Sequence, residues 1–249
     1  MIKVAFCMNR GLRGYQQDCI YIDGEIYQLD FMKCPQEKFL DKNTGIFAVC
    51  DGMGGLAEGD KASKFVCEKL KDMDIDFSIN AVEKALYQIQ KEFEKTDIKW
   101  SGTTIAGVYL KGRKAIIFNA GDSRVYKYTS ERLVYLSHDH SYVQELVDSG
   151  IISYKDAFYH PERYVVTFGI GDVFSEEWKS GNRPYIVEDE LKENELYIIC
   201  SDGLSDYLTD EEIYYHLYPE PFENFPILIE MLEKVKSDNY SIILVKPGN

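Results

Sequence analysis

Two segments of the chain share one design: Ile46-Phe47-Ala48-Val49-Cys50 runs into Asp51-Gly52, and Leu196-Tyr197-Ile198-Ile199-Cys200 runs through Ser201 into Asp202-Gly203. Each is an apolar, strand-like run that delivers a carboxylate at its C-terminal end, next to a glycine that lets the backbone turn and approach a ligand closely. Asp238 stands before a further strand-like run at 240–245, and Asp18 before one at 19–22. In antiparallel pairing the start of one strand lies beside the end of its neighbour, so Asp18, Asp51, Asp202 and Asp238 are expected on one edge. Asp122, in Asn119-Ala120-Gly121-Asp122-Ser123, reads as a hairpin tip between two strand-like runs. A single Asp-Gly after a strand is an ordinary turn; the repetition is what points to a site. Carboxylates brought together repel one another unless a cation holds them. The donors are oxygens, and His138, His140, His160 and His216 form no H-E-x-x-H pattern, so Mg²⁺ or Mn²⁺ is expected in place of zinc.

The elements that would position these groups are short. Strand-like runs fall at 20–22, 46–50, 104–110, 115–118, 124–128, 196–200 and 241–245, which implies a mostly antiparallel sheet system. Ala62, Phe65, Val66 and Leu70 share one helical face, and Ile79, Val82, Leu86, Ile89 and Phe93 another. Asn80 with Glu83, and Thr209 with Glu212, have capping-box spacing. The second pair opens a helix at 210–217, and a fourth helix is expected at 226–236. Strands grouped with strands and helices grouped in pairs argue for sheets covered by helices rather than a strict βαβ alternation. No repeat or Ser/Gly-rich linker divides the chain, so one domain over 1–249 is expected, with an irregular flap at about 150–183.

A different chemistry competes for the first glycine run. Gly52-Met53-Gly54-Gly55-Leu56-Ala57 fits the dinucleotide fingerprint G-x-G-x-x-[GA] after a strand. Asp51 would there face a pyrophosphate, and two helices rather than one precede the next strand near Gly102, so the glycines are better read as clearing space around a metal cluster and its phosphorylated ligand.

Composition narrows the partners. The 249 residues carry a formal charge of −14, which repels phosphate backbones and anionic lipid and argues against nucleic acid and membrane surfaces. Six cysteines contain no C-x-x-C pair, and several lie in apolar runs, as reduced, buried thiols do. The N-terminal apolar stretch is too short for a signal peptide, and no run approaches the roughly 18 apolar residues of a membrane span. A soluble, cytoplasmic protein is expected.

The motifs in their order resemble the metal-dependent serine/threonine protein phosphatases, the PPM family, also called type 2C. The resemblance is carried by Arg13-Gly14-Tyr15-Gln16-Gln17-Asp18, Asp51-Gly52-Met53-Gly54-Gly55, Ser101-Gly102-Thr103-Thr104, Asn119-Ala120-Gly121-Asp122-Ser123-Arg124, the segment from Asp139-His140-Ser141 to Gln144-Glu145-Leu146, His160-Pro161, Ser201-Asp202-Gly203-Leu204 and Asp238-Asn239. It implies an α+β fold, a four-layer α-β-β-α sandwich of two antiparallel β-sheets flanked by helix pairs, with a metal centre at one edge. By motif matching, Asp51 would bridge two ions, the Gly52 carbonyl would bind one, and Asp202 and Asp238 would complete the first shell. Asp122, with Asp202 shared, would hold a possible third ion, Asp18 would hold metal-bound water, and Arg13 would grip the substrate phosphate. The implied reaction is hydrolysis of phosphoserine and phosphothreonine in proteins by a hydroxide bridging two Mn²⁺ or Mg²⁺ ions. The implied partners are phosphoproteins and an opposing serine/threonine kinase, with the chain a monomer of the compact bacterial type. The alternative is a catalytically silent phosphoprotein-binding scaffold of the same fold. The chain departs from the family pattern in Gln16-Gln17, in Met53 where eukaryotic relatives carry a histidine, and in Thr167-Phe168-Gly169-Ile170-Gly171, which lacks the usual arginine. His160 is read as a loop histidine bonded to backbone.

Overall fold

The computed structural model describes residues 1–53, 58–235 and 238–248. Residues 54–57, four of the six residues of the dinucleotide-like glycine run, lie outside the described residues.

Two six-stranded antiparallel sheets form the centre. The first runs, in spatial order, β11 (Leu133–Tyr135), β10 (Arg124–Tyr128), β14 (Leu196–Cys200), β15 (Tyr240–Pro247), β1 (Ile2–Asn9) and β4 (Gln36–Leu40). The second runs β13 (Tyr185–Glu190), β9 (Lys114–Ala120), β8 (Ile105–Lys111), β5 (Thr44–Cys50), β2 (Cys19–Ile22) and β3 (Glu25–Tyr27). A small third sheet, β12 (Ile170–Gly171), β7 (Gly102–Thr103) and β6 (Gly52–Met53), sits at the rim.

Alternation along the second sheet shows why two layers are needed. Ile20, Ile22, Phe47 and Val49 point into the core shared with the first sheet. Their neighbours Cys19, Tyr21, Ala48 and Cys50 point the other way, against α1 (Gly59–Asp72) and α2 (Ile79–Phe93). Both faces are apolar, so both must be covered. On the far side of the molecule, α7 (Asp210–Leu217) and α8 (Pro221–Val235) place Ile213, Leu217, Phe225, Leu228 and Leu232 in the core of the first sheet. The result is the expected α-β-β-α sandwich.

Several local expectations are corrected. α2 is capped by Ser78, whose hydroxyl accepts from the Ala81 N–H, not by Asn80. The real cap lies two residues upstream because Ile79 is already helical, and Asn80 sits in the first turn. The Thr209/Glu212 capping box forms as read. α8 begins at Pro221, not at 226, and Pro226 lies inside it. Pro221 fits the first helical turn, where the missing N–H has no intrahelical partner to lose. Asp122 is not at a hairpin tip: β9 and β10 belong to different sheets, and Asp122 lies on the crossing between them. Gly121 makes that crossing at φ +111, where a Cβ would come within 2.5 Å of the Thr104 side chain.

The segment expected to be irregular holds only small elements: α4 (Tyr154–Phe158), β12, a 3₁₀ turn at Asp172–Phe174 and α5 (Ser175–Ser180), preceded by α3 (Tyr142–Asp148). Every cysteine is a free thiol, with Cys34 alone among them exposed.

Among the described glycines the tightest backbone approach is at Gly203, in the short helix α6 (Asp202–Ser205), where a Cβ would stand 1.8 Å from the Asn239 carbonyl oxygen. That contact seats Asp202 against the start of β15. Gly203→Ala is expected to cost about 1–3 kcal/mol through forced backbone displacement. Gly14→Ala, with open space around its Cβ, should stay within about 0.5 kcal/mol of the parent. Urea midpoints of the two variants check this; equal midpoints would contradict it.

Candidate metal centre

Asp51 is set by its backbone. Its carbonyl oxygen accepts from the Thr104 N–H at 2.9 Å and the Thr103 hydroxyl at 2.8 Å, while its own N–H donates to Thr104 Oγ1 at 3.1 Å. Thr104 Oγ1 also meets Ser123 Oγ at 2.6 Å, tying in the crossing that carries Asp122. The Ser101 hydroxyl donates to the Met53 carbonyl at 3.1 Å. The Ser101-Gly102-Thr103-Thr104 motif thus holds the turn after β5 and leaves the Asp51 carboxylate unused by its anchors. Gly52 has no alternative, since a Cβ there would lie 2.0 Å from the Gly59 carbonyl oxygen.

Asp18 is fully buried. Its Oδ2 accepts from Ser201 Oγ at 2.8 Å, and its Oδ1 is buried with no hydrogen-bond partner. Burial pushes its pKa to about 7, with Asp202 and Asp238 adding to the rise against the lowering by the serines. Ser201 is fixed in turn by the β14–β15 register: its N–H donates to the Ser241 carbonyl at 3.0 Å and its Oγ accepts from the Ser241 N–H at 2.9 Å.

Asp202 opens α6. Burial raises its pKa and Asp238 adds to that, while a hydrogen bond shared with Asp51, the Arg13 charge and the Gly203 N–H oppose it. Asp51 is raised further, by burial first and then by Asp202, Asp18 and Asp122. Asp122 is 7 % exposed and also pushed up, by burial, Asp202, Asp139 and Asp206.

Asp238 is paired differently. Arg13 Nε donates to its Oδ1 at 2.8 Å and Nη2 to its Oδ2 at 2.5 Å, a bidentate fork. Asn239 locks the loop that carries Arg13: its Oδ1 accepts from the Gln17 N–H at 2.8 Å and its Nδ2 donates to the Arg10 carbonyl at 2.9 Å. Gly11 lets that loop press close, since a Cβ would lie 2.0 Å from the Asp238 carbonyl oxygen.

The expected residues Arg13, Asp18, Asp51, Gly52, Asp122, Asp202 and Asp238 are therefore gathered at one rim, as the mutual charge effects on Arg13, Asp51 and Asp202 require. One member was missed. Asp206, the residue after α6, has a pKa pushed to about 7 by burial and by Asp202, and pairs with Arg163 at 3.7 Å. The signal was present as a helical i, i+4 spacing from Asp202. The Asp139-His140 and Asn119 motifs serve structure instead. Arg124 forks onto Asp139, with Nε at 3.0 Å and Nη2 at 2.6 Å from Oδ2, and Asn119 donates to the His138 carbonyl at 2.7 Å. His160 accepts from the Glu162 N–H at 3.2 Å, as a loop histidine does.

Among the described residues no three His, Cys, Asp or Glu side chains ring a common point at ligating distance: Asp238 is turned onto Arg13, and Asp51 shares a hydrogen bond with Asp202. The donor chemistry nonetheless suits a hard cation. The donors are carboxylate oxygens held up in pKa by one another, and Asp18 Oδ1 is a buried acceptor without a donor.

Comparison with known proteins agrees with this geometry. A family model described as Protein phosphatase 2C matches residues 36–242. The serine/threonine protein phosphatase PstP of Mycobacterium tuberculosis is 31% identical over 212 residues, covering 80% of this chain and 40% of the relative; the chain thus spans about two fifths of that protein's length. The crystal structure of the serine/threonine phosphatase Stp1 from Staphylococcus aureus superposes with a TM-score of 0.81 at 26% identity, covering 100% of this chain and 96% of that one. The catalytic domain of PstP in complex with two manganese ions gives 0.71 at 25% identity, covering 99% of each chain. With its motifs gathered at one rim of the sandwich and most of its length matched, the chain belongs to the protein phosphatase 2C family.

Proposed function

We propose that this chain is a metal-dependent serine/threonine protein phosphatase that hydrolyses phosphoserine and phosphothreonine in proteins. The observation that carries the reading is a crowd of carboxylates at one rim: Asp18 and Asp122 are buried and Asp51 and Asp202 partly so, and each is raised in pKa by desolvation and by a neighbouring aspartate, beside a single clamping arginine, Arg13. Two Mn²⁺ or Mg²⁺ ions would be held by Asp51, the Gly52 carbonyl, Asp202 and Asp238, and a third by Asp122 with Asp202. The two manganese ions of the PstP catalytic domain support that choice. When bound, such ions act as Lewis acids that make water nucleophilic near neutral pH and neutralise charge on a phosphoryl group.

The chain's own residues supply position. Asp18 Oδ1, free of protein donors, accepts a hydrogen bond from the attacking water, and Ser201 on Oδ2 keeps the carboxylate from rotating. Arg13 presents a planar fork that matches two phosphate oxygens as it matches the two oxygens of Asp238. Its side chain is 57% exposed, so it has room to swing between them. Gly52 and Gly203 remove side chains where the backbone must come close. The partners that follow are phosphoproteins and an opposing serine/threonine kinase, with the chain acting as a cytoplasmic monomer and a single catalytic domain whose flap spans about 150–183. None of the described helices is long and apolar enough to cross a membrane.

Phosphate release from a small aryl phosphate tests the reading. Turnover is expected with Mn²⁺, none with chelator, and a fall of at least about 10³-fold for Asp51→Asn, the scale of losing a charge-stabilising group. An active Asp51→Asn chain or chelator-resistant turnover would refute it, and metal binding without turnover would favour a silent scaffold. Arg13→Ala should raise KM for a phosphopeptide with a smaller change in kcat, since it grips phosphate in both ground and transition state.

Proton linkage gives an independent check. Each raised carboxylate binds more protons folded than unfolded between the ordinary aspartate value, about 3.9, and its folded value. That folded value is about 7 for Asp18 and Asp206. Their contribution to stability is thus fully present below about pH 4 and is lost as pH rises toward 7. In chelator this component lowers Tm across that window. Mn²⁺ competes with those protons, so the Tm gain on adding it should be larger at pH 8 than at pH 5, by about 1.4 kcal/mol for each tenfold gain in apparent affinity. A gain independent of pH would contradict the assignment.

A further inference from the structure

Beside Asp122 the surface opens into a cavity of about 300 Å³. Its roof is α4 of the flap, and its floor is the chain from Ser205 to the start of α7. The two walls differ in chemistry. One is aromatic, formed by Tyr154, Phe158 and Tyr159, with Tyr159 69% exposed. The other is acidic, formed by Asp206, Asp210 and Glu211 with Asp122 at the inner end.

The cations on the lining offset these acids only in part: Arg124 draws down the pKa of Asp122, Asp206 and Asp210, and the Tyr154 hydroxyl donates to Asp210 at 3.2 Å, joining the two walls at one point and leaving Glu211 and Asp122 open. Arg124 is engaged by Asp139 through its bidentate fork and lies over the Tyr135 ring at 5.0 Å. Arg163 meets Asp206 only at 3.7 Å, with its Nε buried and unbonded. Lys155 is exposed on the flap. Asp122, nine-tenths buried, faces the cavity without a hydrogen bond from any described residue.

We propose that this cavity takes the side chain of a lysine or arginine close to the phosphorylated residue of the substrate protein, so that the enzyme prefers basic phosphosites. A long cationic side chain lays its aliphatic stem on aromatic rings and puts its head among carboxylates, which is what the two walls present. The whole-chain charge of −14 acts in the same direction: it repels a phosphate dianion, and a basic neighbour offsets that repulsion during encounter. The inference deepens the phosphatase reading by naming the substrate class of the same site.

The test reads binding apart from turnover. Labelled phosphoserine peptides, identical except for one lysine walked position by position along both sides of the phosphoserine, are titrated with the full chain in chelator and followed by fluorescence anisotropy. At one position lysine is expected to bind about tenfold tighter than norleucine, about 1.4 kcal/mol. Asp210→Asn combined with Glu211→Gln should bring that ratio to within about twofold, while Glu230→Gln, an acid on the far helix α8, should leave it unchanged. No position at which lysine tightens binding, or a preference that survives the double variant, overturns the proposal. A preference erased by Mn²⁺ would give the cavity to an ion and overturn it as well. Aryl phosphate hydrolysis by the same preparations reports separately on the phosphatase reading, because the cavity variants should keep it.

Discussion

Mutual repulsion among carboxylates at one rim is the constraint that the rest of the fold answers. Two unit charges about 4 Å apart near a protein surface repel by about 4 kcal/mol at an effective dielectric of 20. Asp51 and Asp122 are each raised by more than one neighbouring carboxylate, and Asp202 by Asp238. Held on mobile loops they would splay. Here Asp51 follows one central strand, Asp202 follows another, and Asp238 leads into a third, with β14 and β15 locked in register from Tyr197↔Val245 to Cys200↔Ile242. The dry core between the sheets anchors those strands, so relaxing the repulsion would mean pulling apart buried packing.

The anchoring is done almost entirely by neutral groups. Thr103 and Thr104 bond the Asp51 backbone, Ser241 bonds the Ser201 backbone and hydroxyl, and Asn239 bonds the backbone on either side of Arg13. Had lysines or arginines done this work, they would have neutralised the carboxylates and left nothing for a cation to gain. Hydroxyl and amide anchors fix geometry without cancelling charge, which keeps the rim unstable in isolation and receptive to divalent ions. Arg13 is the exception, and it sits on a partly exposed partner, Asp238, where a flexible side chain can exchange one pair of oxygens for another.

What the sequence made legible follows from range. A carboxylate at the end of a buried strand is a local pattern, and Asp51 and Asp202 could be read from a few residues each; so could the Thr209/Glu212 cap. Asp122 was singled out but given the wrong setting, because a hairpin and a crossing between sheets share the same turn chemistry around Gly121. Only the partners of β9 and β10, far apart in the chain, tell them apart. The N-terminal strand β1 went unassigned, although its residues are almost wholly buried between β15 and β4. With both faces covered it has no alternation to detect, and its pairing partners lie at the opposite end of the chain. Asp206 escaped because its neighbour in space is set by one turn of a four-residue helix too short to carry periodicity.

The flap shows how a segment without regular structure can still be specified. Its small elements are pinned by single polar ties to the sandwich: the Gly171 N–H donates to Gln90 Oε1 at 2.8 Å, and the Asp172 carboxylate accepts from the backbone N–H groups of Trp100 and Ser101 at 2.8 and 2.9 Å. The Gly171–Gln90 tie is buried and the paired Asp172 bonds add a second anchor, which together fix the far end of the flap, while its near end, α4, touches the rest mainly through tyrosine rings and hydroxyls. A polar, ring-lined contact slides and repacks at less cost than an interlocked aliphatic one. The flap is thus rigid where it meets the turn that holds Asp51 and adaptable where it roofs the cavity beside Asp122. The proposed phosphatase reading calls for that division: the rim would keep the same geometry for every substrate, whereas the wall that would meet the flanking sequence would accommodate side chains that differ from one site to the next.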